Sequence, residues 1–70
     1  MMPLVMAPQG EEQMIKRIGG SEEVKRHLQE LGFVPGGHVT VVNEIGGNLI
    51  INVKESRVAV DKQLAQKIFI

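Results

Sequence analysis

Apolar and polar positions change their period repeatedly along this chain, and each change marks an element. From Gln13 to Ile18 a short mixed run (Met14, Ile15, Lys16, Arg17, Ile18) closes on Gly19-Gly20, as a half-buried first strand does. The period then lengthens: Val24, Leu28 and Leu31 recur at i, i+4 and i+7, the signature of a helix of about three turns. Ser21 stands at its N-cap, and Glu22 and Glu23 complement the positive end of its dipole. Glu22 with Arg26 supplies a favourable i,i+4 pair. Gly32 is a natural left-handed stop, and Phe33 beyond it is placed to fold back onto Leu28 in a Schellman ending.

Val34-Pro35-Gly36-Gly37 suits a type II turn, with proline second and glycine third. A β-branched strand, His38 to Ile45, follows and turns at Gly46-Gly47, and Asn48 to Val53 returns with Leu49, Ile51 and Val53 on one face. A second reversal near Lys54-Glu55-Ser56 leads into Arg57-Val58-Ala59-Val60, where Val58 and Val60 face one way. Asp61 can cap a single helical turn through Leu64-Ala65, and Lys67 to Ile70 forms a last short strand. Five short strands and one long helix are expected. A flat sheet of such strands would expose its edges, so they are expected to curl into a small barrel, mainly β, with the helix inserted between strands one and two and covering one opening.

Composition narrows the function. Seventy residues make one domain, 1–70, because a second core would not fit. There is no Cys, which removes disulfides and thiolate metal sites. A large ligand cleft is also disfavoured, since pockets that bury a small molecule occupy about 300 Å³ or more. Eight Lys and Arg balance eight Asp and Glu, with pairs such as Lys16-Arg17 and Lys25-Arg26 interleaved with Glu11-Glu12 and Glu22-Glu23, so no basic half exists to release phosphate counterions. The apolar start, Met2 to Ala7, carries no charged leader, is broken by Pro3 and Pro8, and is far shorter than the roughly 20 residues of a membrane helix. A cytoplasmic location is expected.

With these elements placed, Gly10, Arg17-Ile18-Gly19-Gly20, Leu28-Gln29-Glu30-Leu31-Gly32-Phe33-Val34-Pro35-Gly36, the valine strand, Arg57-Val58-Ala59-Val60 and Leu64-Ala65-Gln66-Lys67-Ile68 together resemble the FeoA family. The resemblance spans nearly the whole chain. Its most specific piece is the helix ending Leu-x-x-Leu-Gly-Phe-x-Pro-Gly before a valine-rich strand; related SH3-like domains also end some iron-dependent repressors, but no DNA-binding helix pair is expected before Met1, which disfavours a repressor. The resemblance implies a five-stranded SH3-like barrel and a small cytosolic adaptor. It also implies a partner, the cytosolic GTP-binding part of a FeoB-type ferrous-iron transporter, whose iron uptake the adaptor would modulate.

Each candidate residue has a structural reading beside its functional one. Gly19-Gly20-Ser21 before a helix could cradle an anion, but Glu22 and Glu23 would repel it and no P-loop lysine is present; a turn and cap is expected. Glu23 and His27 share a helix face and His38 opens a strand, yet two ligands make a weak iron site, so no metal and no cofactor is assigned. Ser21 and Ser56 are the only serines, one a cap and one in a turn, and no Cys is present to act as nucleophile; eight carboxylates could bring an acid/base pair together, but their solvated helix and turn positions read against an enzyme. Met1, Met2, Met6 and Met14 read first as packing. Lys25, Arg26 and Arg57 could form a basic spot for an acidic partner, beside the slightly preferred reading of a solvated face held by pairs such as Glu22 with Arg26; Phe33 is expected to complete the helix ending rather than to anchor that partner. Two alternatives remain: a barrel that binds nucleic acid, against which neutral charge and only two aromatics count, and a direct ferrous-iron carrier using His27 or His38.

Overall fold

The structure, a computed structural model, describes residues 1–70. Its elements in chain order are β1 (Glu12–Met14), β2 (Arg17–Ile18), α1 (Glu22–Glu30), β3 (His38–Ile45), β4 (Asn48–Val53), β5 (Ser56–Asp61), α2 (Lys62–Ala65) and β6 (Ile68–Phe69), preceded by a 3₁₀ turn at Leu4–Met6. β1, β3, β4 and β5 form one antiparallel sheet in that order, and β2 pairs with β6 in a second. This is the mainly β, small-barrel architecture expected from the sequence, with α1 in the connection after the first strand region.

The expected first strand differs: Gln13 to Ile18 is divided between the two sheets. At the division Ile15 is fully buried, its N–H donates to the Gly37 carbonyl at 2.8 Å, and its own carbonyl accepts from Gly36 N–H at 2.7 Å. One residue later Lys16 N–H donates to the Phe69 carbonyl. A single extended stretch therefore serves as the corner of the barrel, handing its hydrogen bonds from one sheet to the other. The strand count is six rather than five for this reason.

The helix ends as its residues dictate. Ser21 Oγ accepts from Val24 N–H at 3.2 Å, and two acidic residues fill the first turn. At the other end Phe33 N–H donates to the Leu28 carbonyl and Gly32 N–H to the Gln29 carbonyl, both at 2.9 Å, with Gly32 at φ +108°. That pair of bonds is the complete Schellman motif. The Glu22 carboxylate reaches Lys25 (Oε1 to Nζ 3.8 Å) rather than the expected Arg26.

The turns also follow residue type. Gly36 has φ +86° and Gly37 N–H donates to the Val34 carbonyl at 2.9 Å, as a type II turn requires. Asp61 Oδ1 accepts from Leu64 N–H at 2.8 Å and caps α2. The core gathers Leu28 and Phe33 from the helix end, Val39, Val41, Leu49, Ile51, Val53 and Val60 from β3 to β5, and Ile68 and Ile70 from the C-terminus. Leu4, fully buried, joins them from the N-terminal turn, and Met2 and Ile70 exchange backbone bonds at 2.9 and 2.8 Å.

Candidate functional site

An open groove of about 450 Å³ runs between α1, β2 and the turn that follows the helix. Its position is set by local chemistry. The Schellman ending reverses the chain at Gly32, Pro35 in the following type II turn carries it away from the helix, and β2 lies on the opposite side. Ile18, Val34 and Pro35 supply its apolar lining, with the almost wholly buried Phe33 beneath. Lys16 and Arg17 line it from the β2 side, and Glu22, Lys25 and Gln29 from the helix.

Three cations therefore face one carboxylate, and that carboxylate is already engaged by Lys25. The guanidinium of Arg17 lies over the Phe69 ring, 4.7 Å from its centroid. This stacking limits the freedom of the arginine and holds its charge at the mouth of the groove. The arrangement offers an apolar lining with a positive rim, suited to an extended segment bearing acidic side chains.

The residues singled out from sequence distribute unevenly over this geometry. Lys25 lines the groove and Arg26 is exposed on the same helix. Phe33 is only 1% exposed, so it is not a protruding anchor; it borders the groove from within the core. Arg57 does not line the groove: it lies on β5, where its Nε donates to Asn52 Oδ1 at 3.0 Å. Conversely, Lys16 and Arg17 were not singled out. A basic dipeptide before Gly19-Gly20 was visible, but only the fold brings it opposite Lys25.

The histidines stand apart from one another. His27 is exposed in the last turn of α1, and His38 Nδ1 is 3.8 Å from Glu12 Oε1 between two exposed side chains. No group of three or more His, Cys, Asp or Glu side chains comes together anywhere in the molecule. No helix is long and apolar enough to cross a membrane.

A family model, the FeoA domain, matches residues 2–70. A putative Fe(2+) transport protein A of Methanocaldococcus jannaschii is 33% identical over 70 residues, covering all of this chain and 85% of that protein. Among solved structures, an iron uptake regulatory protein (FeoA) superposes with a TM-score of 0.87 at 26% identity, over 96% of this chain and 91% of the other. The FeoA of Stenotrophomonas maltophilia, a prokaryotic SH3 domain protein solved with zinc, does so with a TM-score of 0.83 at 26% identity, over 99% and 88%. The fold is thus SH3-like, and the match over nearly every residue shows that this chain belongs to the FeoA family of ferrous-iron transport proteins.

Proposed function

We propose that this chain is a non-catalytic adaptor of ferrous-iron uptake that docks, in the cytoplasm, on the GTP-binding part of a FeoB-type transporter and modulates it. The observation that carries the reading is the family match across residues 2–70. The groove supplies a physical means: an apolar lining beneath Lys16, Arg17 and Lys25 favours an acidic segment of the partner. Nothing reactive is arranged beside it. Ser21 is occupied as a helix cap and Ser56 closes the β4–β5 hairpin. Rigid elements on either side would present the groove in one shape, which reduces the ordering cost of docking.

The test is co-purification of the chain with the transporter's isolated GTP-binding domain, followed by titration calorimetry. A complex is expected, and Lys16→Glu combined with Lys25→Glu should weaken it by about tenfold or more, because reversed rim charges repel an acidic segment. Arg26→Glu, outside the groove, should weaken it less. Absence of any complex with the unaltered chain would dismiss the adaptor reading, and a complex indifferent to the double reversal would move the docking surface away from the groove.

A further inference from the structure

The outer edge of β5 carries a pattern that the groove does not use. β4 and β5 are joined by only Lys54 and Glu55, so Val53 and Ser56 form the closing hydrogen-bonded pair of a two-residue hairpin. Antiparallel pairs alternate, so Ser56, Val58 and Val60 direct their backbone groups to β4, while Arg57, Ala59 and Asp61 direct theirs outward. No backbone hydrogen bond joins β5 to any strand but β4. The side chains of Arg57, Ala59 and Asp61 are also exposed, on one face.

An open strand edge is an invitation to pair, and charged side chains ordinarily blunt it. Here the two charges are of opposite sign and are placed symmetrically about Ala59. If a second copy approaches antiparallel with Ala59 opposite Ala59, each Arg57 falls opposite the other copy's Asp61, and Val58 falls opposite Val60 on the inner face. The outward-facing backbone groups match in the same register. Ala59 N–H and carbonyl exchange bonds with their counterparts, and Asp61 N–H reaches the other copy's Arg57 carbonyl. Alanine at the two-fold axis leaves room for close approach. Asp61 holds its helix cap through Oδ1 alone, which leaves Oδ2 for the arginine. Arg57 is bonded to Asn52 only through Nε, leaving its terminal nitrogens free.

We propose that β5 is a homodimerisation edge, through which two copies of this chain join their sheets about a two-fold axis at Ala59. The contact is isologous and therefore closes at two copies rather than running on as a fibre. The opposite edge, β1, is only three residues long and offers no such self-complementary charge pair. The inference does not depend on the groove or on the transporter.

Sedimentation of the purified chain over a concentration series is expected to show a monomer–dimer equilibrium. Ala59→Pro removes an N–H that has no partner within the chain, a change an edge strand tolerates, and should raise the dimer dissociation constant by about tenfold or more. Arg57→Glu should do so by about tenfold, since like charges then lie directly opposite. Asp61→Asn, which keeps the cap, should have a smaller effect in the same direction. Amide exchange on the unaltered chain supplies a readout that needs no variant: Ala59 and Asp61 amides should become protected as concentration rises. A monomer at all concentrations up to about 1 mM overturns the proposal. So does a dimer that withstands both Ala59→Pro and Arg57→Glu, or one whose concentration-dependent protection falls on α1 or β1.

Discussion

Lys54 is the one non-glycine residue with a positive φ, 55°, and it occupies the first place of the β4–β5 reversal. A side chain in that region crowds its own backbone, at a cost of about 1–2 kcal/mol. Glycine removes the crowding but adds freedom to the unfolded chain, so Lys54→Gly should stabilise by a net of about 0.5–1 kcal/mol. For a domain of this size that is a rise of a few degrees, roughly 4–8 °C per kcal/mol, in a thermal melt. An unchanged or lower melting temperature would mean that Lys54 gains compensating contact from its aliphatic stem, which runs near Gly32. The other reversals were legible because residue type announces them. Gly36, Gly46 and Gly47 each have the positive φ that their turns demand. Lysine announces no such conformation, so at this turn polarity alone located the reversal.

At the level of elements, α1 shows start, face and stop each set by separate residues, which makes their contributions separable. Ser21→Ala removes the acceptor for Val24 N–H and should cost about 1 kcal/mol in urea unfolding, whereas Ser21→Gly should cost only a few tenths. Equal losses for the two would show that the hydroxyl matters through some contact other than the cap. The helix and the two long hairpin strands were readable because periodicity and punctuation agreed. The first strand was not read correctly, because a corner within an extended run leaves no mark on alternation: Ile15 is apolar whether it faces one sheet or stands between two. The groove was hidden for a related reason. Lys16 and Arg17 are distant from Lys25 in sequence terms that matter to pattern, and only the pairing of β2 with β6 fixes which side of α1 they meet. Lys25 was legible as a surface cation, but its neighbours were not.

For the molecule as a whole, the least legible feature is the part played by its N-terminal residues. Met2 to Ala7 read as an apolar stretch too short for a membrane, with no element assigned to it. In the fold, Pro3 bridges to Phe69, Met2 and Ile70 exchange backbone bonds, and the Leu4 side chain is wholly enclosed by the core. The two ends of the chain thus close the barrel together, and α2 packs against the same turn. Replacing a buried leucine by alanine forfeits both transfer energy and packing, about 2–5 kcal/mol. A domain this small, with no cysteine to form a disulfide, has roughly 3–5 kcal/mol to lose. Leu4→Ala is therefore expected to leave the chain largely unfolded near its working temperature, seen as loss of amide dispersion in NMR and of a cooperative melt. Met6→Ala, two residues on and exposed, is the matched comparison and should melt as the unaltered chain does. If Leu4→Ala also melted unchanged, the N-terminal turn would be a loose cover and the barrel would have to be held by β3, β4 and β5 with α1 alone.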